Sequence, residues 1–359
     1  MHVAGRTLVG HSGPGVVSFG DSIESVELGS PASGVDTFEY LVAGFVDLQV
    51  NGHDDVDLWE VVRKRDHDAL SGLSERLLDH GVTSWLPTLV TAPLERYRGA
   101  IEFLASSPRK GAERVGVHLE GPFLGRAPGA HRREDIIAVD HDFVESLPPG
   151  VTMMTIAPES PGASWAIATL TARGVRCSLG HSRPTAVEFA LGRSAGARAV
   201  THLFNAMSGV DHRDPGLATW ALLDDALTLG LIADGVHVHP DVIALAFRSA
   251  GDRIALVSDS VGWTAGAAFA GGVEIREGAP RLGDGTLAGT NLTLDRAVRV
   301  CVQAGVPAET ALLAASCHPA ALMGLDDRGS IEPGRRADLV ALDADLCVAA
   351  VWLEGRRVR

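Results

Sequence analysis

The chain lacks most of the features that mark secreted or membrane proteins. Its four cysteines, Cys177, Cys301, Cys317 and Cys347, are scattered through 359 residues and form no Cys-x-x-Cys pair, which predicts reduced thiols rather than a disulfide framework. No apolar run approaches the roughly 18–20 residues that cross a bilayer. The N-terminal segment has no basic region followed by an apolar core. We therefore expect a cytoplasmic protein without a membrane partner.

Positive charge is also scarce. Lys and Arg number 31 against 45 Asp and Glu, which gives a formal net charge of −14 at pH 7. An acidic surface repels a phosphodiester backbone, so we expect no nucleic-acid partner. The motifs G-x-G-x-x-G and G-x-x-x-x-G-K do not occur, and the one G-x-S-x-G match, GRSAG at 192–196, falls in the amphipathic helical stretch 183–196 and does not compete with this reading. The sequence therefore argues against dinucleotide-binding, P-loop and serine-hydrolase chemistry.

The middle of the chain alternates between short apolar, β-branched runs and amphipathic stretches with helical spacing, such as 66–81 and 183–196. Near-continuous apolar strands separated by helices indicate a parallel sheet covered on both faces. Eight such units fit an α/β fold of the (β/α)₈ barrel type, although an open doubly wound sheet has the same periodicity. A further helical segment at 293–323 should pack outside. The predicted strands span 45–50, 82–90, 114–120, 151–157, 175–181, 198–202, 227–233 and 254–259.

Both ends of the chain contain short β-type stretches broken by Gly, Pro and Ser. Two small β-rich ends that flank a long alternating middle are expected to combine into one side domain. The sequence therefore predicts a small domain from 1–43 plus 327–359, beside a catalytic domain at 44–326.

Polar side chains cluster where the predicted strands end. The first strand ends in DLQVNG, which places Gln49 and Asn51 two residues apart and so on one face. The third strand ends in Glu120. Because the carboxyl ends of barrel strands share one mouth, where this architecture has its active site, we expect these groups to lie close together. The strand-end groups on later strands are His181, His202, Asn205, Asp234, His237, His239 and Asp259.

Glu120, His181 and His202 offer one oxygen and two nitrogen ligands from separate strands, a set that suits Zn²⁺ or a similar ion. A bound cation would also stabilise a carboxylate that is otherwise costly to bury. Taken singly, each residue fits a structural hydrogen bond or ion pair, and only the joint pattern favours a metal. Asp259 could take a proton from metal-activated water, or it could cap a helix or support a ligand.

Seven motifs occur in the order found in the N-acetylglucosamine-6-phosphate deacetylases of the amidohydrolase superfamily, which the chain resembles over nearly its whole length. They are GFVDLQVNG, GVHLEGPFL, GHS, THLFNAM, DGVHVHP, SDS and LAGTNLTLDRAV, and the match extends to GSIEPGRRADLVALD near the end. The resemblance implies a (β/α)₈ barrel with a small β-sandwich built from both termini. It also implies hydrolysis of the acetamide of N-acetylglucosamine 6-phosphate to glucosamine 6-phosphate and acetate, by a homodimer.

The same resemblance implies roles for individual residues. Glu120, His181 and His202 look like the ligands of one divalent ion per subunit, with Zn²⁺ expected first and Fe²⁺, Co²⁺ or Mn²⁺ as alternatives. Asp259 looks like the general base and then acid, and His131 like the histidine that contacts the substrate carbonyl. The expected substrate-binding set is Gln49, Asn51, His131, Asn205, Ala206, Arg213 and His237, with Asn205 and Ala206 offering backbone donors to the phosphate.

Three of these positions carry further expectations. Gln49 and Asn51 stand where many amidohydrolases have a metal-binding His-x-His pair, so the resemblance is to the single-metal branch of the superfamily. In the family, the arginine that Arg213 resembles can come from the partner subunit. Whether it does so here is left open.

The chain also departs from the family pattern. VSDSVGWTAG replaces the more usual Thr-Asp-Ala context, and Trp263 adds bulk near the expected site. The nearest alternative is therefore deacetylation of another N-acetylated amino sugar, either N-acetylgalactosamine 6-phosphate or an unphosphorylated one. A second alternative is a non-catalytic sugar-phosphate-binding paralogue, against which the joint retention of the three candidate ligands and Asp259 argues.

Overall fold

The computed structural model of the chain describes residues 1–31, 33–263 and 273–359. The last residues of the VSDSVGWTAG motif, 264–266, lie outside this range. Within the described residues, no helix is both long enough and apolar enough to cross a bilayer.

The strands of the described residues fall into a terminal group, a central group and two short hairpins. They are β1 (His2–Leu8), β2 (Gly15–Phe19), β3 (Ile23–Leu28), β4 (Thr37–Ala43), β5 (Phe45–Val50), β6 (Gly52–His53), β7 (Val56–Asp57), β8 (Val82–Val90), β9 (Glu113–Arg114), β10 (Val117–Glu120), β11 (Val151–Ile156), β12 (Arg176–Leu179), β13 (Ala199–Val200), β14 (Thr228–Leu231), β15 (Ile254–Leu256), β16 (Glu274–Arg276), β17 (Ala279–Arg281), β18 (Leu339–Leu342), β19 (Val348–Leu353) and β20 (Arg356–Arg357).

The helices lie mainly between the central strands. They are α1 (Leu58–Lys64), α2 (His67–Leu78), α3 (Tyr97–Ser106), α4 (His141–Ser146), α5 (Ala163–Ala172), α6 (Ala186–Ser194), α7 (Leu217–Leu223), α8 (Pro240–Ala250), α9 (Leu294–Gln303), α10 (Ala308–Ala315) and α11 (Cys317–Met323). Their first residues follow local rules. Thr185 and Glu188 form a reciprocal capping box at α6, and proline occupies the first position of α8.

The central strands form a parallel barrel in the order β5, β8, β10, β11, β12, β13, β14, β15. Its ends meet just beyond β15, where the backbone N–H of Asp259 donates to the carbonyl of Gln49 at 2.9 Å. The N–H of Asn51 donates to the carbonyl of Ser260 at 2.8 Å. This near-closure confirms the (β/α)₈ prediction and excludes the open doubly wound sheet.

Six of the barrel strands are shorter than predicted, and five of these six end before the predicted carboxyl end. The run 198–202 pairs only as Ala199–Val200, and the run 254–259 only as Ile254–Leu256. In both cases the chain leaves the hydrogen-bond ladder before a candidate site residue. The side chains of His202 and Asp259 can then turn toward the mouth instead of alternating across the sheet. The predicted helical segment 293–323 is divided as well, because Gly305 with φ +89° ends α9 and Pro307 precedes α10.

Both termini contribute to one mixed sheet, with the strand order β20, β19, β18, β4, β1, β2, β3. The first and last parts of the chain meet where β4 pairs with β18. This sheet has a core of its own around Phe19, Leu41, Leu339 and Trp352. The prediction that the two ends combine into one β-unit is therefore confirmed, whereas the boundaries at 43/44 and 326/327 stay a prediction.

An ion network joins the terminal segment to the barrel. Glu113 of β9 accepts hydrogen bonds from Arg328 at 2.8 Å and from Arg336, and Arg328 also donates to the hydroxyl of Ser84 at 2.9 Å. Burial alone would raise the pKa of Glu113, but the two arginines hold it below its ordinary value. Its ionised form is therefore stabilised by folding. That contribution is present above the ordinary glutamate pKa and is lost as the pH falls below it.

Replacing Glu113 with Ala is expected to lower the free energy of unfolding by about 2–3 kcal/mol, because the change leaves two largely buried guanidinium groups without their shared counter-charge. Urea denaturation at neutral pH measures this loss. The matched control is Glu102→Ala, which breaks an exposed pair with Arg98 at 3.9 Å and should cost less than about 1 kcal/mol. Equal losses in the two variants would contradict the role given to Glu113.

Candidate active site

The carboxyl ends of the barrel strands surround a cavity that contains most of the predicted site residues. Gln49 lies just behind the wall, and Arg213 is exposed on the loop before α7. The wall is completed by residues to which the sequence analysis assigned no role, namely Thr286 and, from the start of the LAGTNLTLDRAV motif, Leu287 and Gly289. The predicted residues that line the cavity are Asn51, Glu120, His131, His181, His202, Asn205, Ala206, His237 and Asp259.

Three atoms from separate strands converge at the bottom of this cavity. Glu120 Oε1 lies 3.1 Å from His181 Nε2 and 3.1 Å from His202 Nε2, and the two nitrogens are themselves 3.1 Å apart. Ligands bound tetrahedrally to a zinc ion at its usual bond lengths are separated by about 3.3 Å. The triangle therefore has the size that one small cation requires.

The proton positions on the histidines decide which nitrogens can bind a cation. His181 Nδ1 lies 3.2 Å from the carbonyl of Pro128, which can only accept, so Nδ1 carries the proton and Nε2 offers a lone pair. The other polar atom of His202, Nδ1, is buried without a partner among the described residues. A bare Nε2 of His181 at 3.1 Å from the carboxylate oxygen Glu120 Oε1 is a repulsive arrangement that a shared cation would relieve.

His131 could complete a similar group with Glu120 and His181, since its ligand atom also lies within 4.8 Å of theirs. Its protonation argues against that role. The backbone N–H of Thr91 donates to His131 Nδ1 at 3.3 Å, so the proton of the neutral ring lies on Nε2. Burial, and then the neighbouring His181, lower the pKa of His131 to about 3, which keeps the ring neutral. Its Nε2 lies 3.7 Å from Glu120 Oε2 and is a donor rather than a metal ligand.

Two amide side chains hold Asp259 in place. Gln49 Nε2 donates both to Asp259 Oδ1 at 3.0 Å and to Glu120 Oε1 at 2.9 Å, and Asn51 Nδ2 donates to Asp259 Oδ1 at 2.7 Å. Oδ2 of Asp259 has no hydrogen-bond partner in the described part of the chain, although the residue lines the cavity. Burial, and then the charge of Glu120, raise the pKa of Asp259 to about 7. The carboxylate can thus gain and lose a proton near neutral pH.

The backbone is strained where these side chains leave the strands. His181, His202 and Asp259 have φ values of +49°, +30° and +48°, a region that costs a non-glycine residue about 1–3 kcal/mol. Ala206, in the turn after His202, has φ +47°. The surrounding packing maintains this strain at the mouth, as is common where side chains must be aimed at a ligand.

The remaining predicted residues occupy three different environments. The backbone N–H of Asn205 donates to the carbonyl of His202 at 2.9 Å, so that donor is already engaged, while its side chain lines the cavity. Arg213 is exposed, and its backbone N–H bonds to Asp211 at 2.8 Å. Trp263 packs with Val261 and Ala288 and is not among the described residues that line the cavity.

Sequence reasoning missed two residues that support the site. Thr91 fixes the proton of His131 through its backbone N–H, and its hydroxyl lies 2.8 Å from the same ring nitrogen. Glu159 follows β11 and accepts from the Ser182 hydroxyl and, at 2.8 Å, from the backbone N–H of Arg183. It thereby holds the loop that carries His181. Both residues follow predicted strands, which was the available signal, but neither lies in a motif of the resemblance.

The chain is similar in sequence to known proteins over most of its length. Residues 40–358 match the amidohydrolase family. N-acetylgalactosamine-6-phosphate deacetylase of Escherichia coli O157:H7 is 37% identical over 333 residues, which cover 89% of this chain and 87% of that protein. N-acetylglucosamine-6-phosphate deacetylase of Mus musculus is 38% identical over 343 residues, with 89% and 83% covered.

Solved structures agree with the sequence relatives. A mutant of N-acetyl-D-glucosamine-6-phosphate deacetylase from Mycobacterium smegmatis, in complex with N-acetyl-D-glucosamine-6-phosphate, superimposes with a TM-score of 0.90 at 31% identity. The alignment covers 100% of this chain and 99% of that one. Family match, relatives and fold therefore converge, and the chain belongs to the amidohydrolase family, in the branch formed by the N-acetylglucosamine-6-phosphate deacetylases.

Proposed function

We propose that the protein hydrolyses the acetamide of N-acetylglucosamine 6-phosphate, releasing acetate and glucosamine 6-phosphate, with one divalent ion bound per subunit. The observation that carries the proposal is the convergence of Glu120 Oε1, His181 Nε2 and His202 Nε2 within 3.1 Å of one another. Asp259, with its pKa raised to about 7, lines the same cavity. Ligand atoms and a titratable carboxylate side by side are what amide hydrolysis at neutral pH requires.

The three converging atoms are the proposed ligands of the ion. A divalent ion held there supplies Lewis acidity, which polarises the acetamide carbonyl and lowers the pKa of water. The donor set of one carboxylate and two imidazoles fits Zn²⁺ first, and Fe²⁺, Co²⁺ or Mn²⁺ accept the same ligands. Gln49 and Asn51 direct their N–H groups at carboxylate oxygens and so add no metal ligand through those atoms.

Asp259 is the proposed general base and acid. Its free Oδ2 takes a proton from the attacking water, while Oδ1 stays bonded to Gln49 and Asn51. The same carboxyl group then gives its proton to the sugar nitrogen as the carbon–nitrogen bond breaks. An amine cannot leave as its anion near neutral pH, so this protonation is needed for the bond to break.

His131 is the proposed donor to the carbonyl oxygen, since its Nε2 carries the proton and faces the cavity beside Glu120. Replacing His131 with Gln is expected to lower kcat by about 10²–10³-fold, the usual loss when one oxyanion donor is removed. Metal content, measured by elemental analysis, should not change. His141→Gln serves as control because that exposed ring stacks on Trp165, away from the cavity. Loss of the ion in His131→Gln would instead make His131 a ligand.

The substrate assignment is tested by acetate release from three sugars with the ion-loaded protein. We expect N-acetylglucosamine 6-phosphate to be hydrolysed faster than N-acetylgalactosamine 6-phosphate, and both faster than unphosphorylated N-acetylglucosamine. The galactosamine sugar is the second candidate because the Escherichia coli relative that carries its name is 37% identical, which is about as similar as glucosamine enzymes that are 35–38% identical. Binding without acetate release, whatever ion is supplied, would support the non-catalytic paralogue.

We also propose that the protein acts as a homodimer. Helices α6 and α7 meet through Phe189 and Trp220, whose ring centroids are 5.4 Å apart, and they leave Val187, Leu191 and Leu223 52–76% exposed. Exposed apolar side chains on adjacent helices favour association. If this face is the dimer contact, Leu191→Glu should convert the protein to a monomer in analytical ultracentrifugation. A dimer that persists in this variant would place the contact elsewhere.

A further inference from the structure

A chain of buried hydrogen bonds crosses the barrel interior next to the three candidate metal ligands. His118 Nε2 lies 2.9 Å from Thr155 Oγ1, and Thr155 Oγ1 lies 2.7 Å from Thr201 Oγ1. Ser178 Oγ lies 2.6 Å from Thr201 Oγ1. These four residues, which we call the hydroxyl chain, are at most 2% exposed. Branched apolar side chains usually fill the interior of such a barrel, so a polar layer at this place is unusual.

The carbonyl of Leu48 decides in which direction the hydroxyl chain donates. His118 Nδ1 lies 3.2 Å from this oxygen, which can only accept, so Nδ1 carries the proton. Burial lowers the pKa of His118 to about 4 and so keeps the ring neutral, which makes Nε2 an acceptor for the Thr155 hydroxyl. Because a hydroxyl donates only one proton, Thr155 must then accept from Thr201, and Thr201 from Ser178. Every member of the chain thus has a partner.

The backbone connects two members of the hydroxyl chain to candidate ligands. His118 precedes Glu120 by two residues, so both side chains lie on the same face of β10. Glu120 is in turn paired with Thr155 on the neighbouring strand β11. Thr201 directly precedes His202 in the sequence. The hydrogen bond between Thr155 and Thr201 therefore joins the segments that carry Glu120 and His202.

The third candidate ligand packs against the same hydroxyl chain. Ser178 belongs to β12, which ends shortly before His181, and is paired with Thr155. A Cβ atom added at Gly180 would lie 2.8 Å from Cβ of Thr201 and 2.9 Å from Cγ2 of Thr155. The backbone that leads into His181 is therefore in direct contact with these two threonines. A displacement of the threonine pair would move His181 as well.

We propose that Thr155 is a positioning residue at the centre of the hydroxyl chain, and that the chain holds the three candidate metal ligands at the separation that a small divalent cation needs. This inference rests on the proposed function, because it concerns the ion that the proposed hydrolysis uses. A buried polar network whose members are all satisfied makes its surroundings rigid. Ligands that are already held at the right distance lose little freedom when they bind the ion.

Thr155→Val tests the proposal, because valine keeps the shape of threonine and removes the hydroxyl. The substitution breaks the hydroxyl chain at its centre, since His118 Nε2 loses its donor and Thr201 loses its acceptor. Thr155→Ser is the conservative variant that keeps the hydroxyl. Thr83→Val is the matched control, because Thr83 is a buried threonine of the barrel strand β8 whose hydroxyl is 3.5 Å from its partner, the carbonyl of Phe45.

The first measurement is the dissociation constant of Zn²⁺, obtained by competition with a chromophoric chelator in the absence of sugar. Thr155→Val should weaken Zn²⁺ binding about tenfold, as is usual when a group that supports metal ligands is removed. The absorption spectrum of the Co²⁺-loaded protein should also change, because it reports the arrangement of the ligands. Thr155→Ser and Thr83→Val should match the parent protein. An unchanged Zn²⁺ affinity in Thr155→Val, or an equal loss in Thr83→Val, would overturn the proposal.

The second measurement tests whether the hydroxyl chain acts as one unit. Thr201→Val breaks the chain at the same central bond and at the bond to Ser178, so it should weaken Zn²⁺ binding by a similar factor. The double variant with Thr155→Val should bind Zn²⁺ no more weakly than the weaker single variant. Losses that multiply would mean that each threonine acts on its own neighbour, and the proposed chain would be wrong.

The third measurement separates kcat from KM at saturating Zn²⁺. Thr155 is not among the described residues that line the cavity, so Thr155→Val should lower kcat for N-acetylglucosamine 6-phosphate about tenfold and change KM much less. A change confined to KM would place the effect at the sugar and overturn the positioning role. If the parent protein releases no acetate from any sugar, the proposed function fails, and the Zn²⁺ affinities still decide the role of Thr155.

Discussion

Asp259→Asn is expected to lower kcat by about 10³-fold or more, because this one side chain acts first as the general base and then as the general acid. The substitution keeps the shape of the residue. Gln49 and Asn51 now donate to Oδ1, and an amide oxygen can accept from both in the same place. What is lost is the ability of Oδ2 to take a proton from water and pass it to the leaving nitrogen. Metal content should stay at one ion per subunit, since Asp259 is not among the three converging ligand atoms.

The pH profile gives a second measure of the same role. A base must be ionised, and burial together with Glu120 raises the pKa of Asp259 to about 7, so kcat/KM should fall as the pH falls below neutrality. A bound cation favours the ionised form and moves this fall to lower pH. The residual kcat/KM of Asp259→Asn should not show this fall at low pH. Asp252→Asn, in the exposed turn that follows α8, is the control that should behave like the parent protein. Near-normal turnover in Asp259→Asn would mean that another group moves the proton.

One simple rule about barrel strands predicts that four side chains lie close together, those of Glu120, His181, His202 and Asp259. Parallel strands of a barrel end on one side, so polar residues that follow apolar runs meet there whatever the details of packing. The structure brings these four side chains together as that rule requires. The orientation of these side chains depends on positive φ values at His181, His202 and Asp259, and the conformational preferences of those residue types do not predict such values.

Other features could not be read from the sequence, because they depend on contacts between distant segments. The backbone N–H of Thr91 meets the ring of His131, and Glu113 meets Arg328 some two hundred residues later. Neither pair has a spacing that local periodicity can reveal. The donor role of His131 depends on such a contact, since the tautomer that the backbone imposes decides whether the ring binds a cation or donates a proton.

Burying the carboxylate charge of Glu120 costs free energy, and groups in the site must offset this cost. The residue is 3% exposed, and no Lys or Arg among the described residues pairs with it. Burial alone would raise its pKa, yet hydrogen bonds from His181 and His202 hold that pKa well below its ordinary value. Each of those bonds requires a proton on the ring nitrogen Nε2. The carbonyl of Pro128 already holds the proton of neutral His181 on Nδ1, so this ring can donate to Glu120 only if it is charged. A divalent cation satisfies the carboxylate and both imidazoles in their neutral forms.

Glu120→Gln is therefore expected to abolish ion binding and to lower kcat by about 10³-fold or more, since the ion contributes several kcal/mol to transition-state stabilisation. A neutral amide keeps the size of the side chain but loses the negative charge that attracts the cation. Dialysis of the parent protein against a chelator should lower its kcat as much as the Glu120→Gln substitution does, and added Zn²⁺ should restore the activity. Glu309→Gln, on the exposed face of α10, is the control that keeps both the ion and the activity.

Thermal and chemical denaturation separate loss of the ion from loss of the fold. An ion at 100 times its dissociation constant stabilises the folded state by about 2.7 kcal/mol. Chelation should lower the free energy of unfolding of the parent protein by about that amount and leave Glu120→Gln unchanged, because the variant holds no ion to lose. If Glu120→Gln retains one tightly bound ion, the carboxylate is not a ligand. The triangle of Glu120, His181 and His202 would then need another explanation.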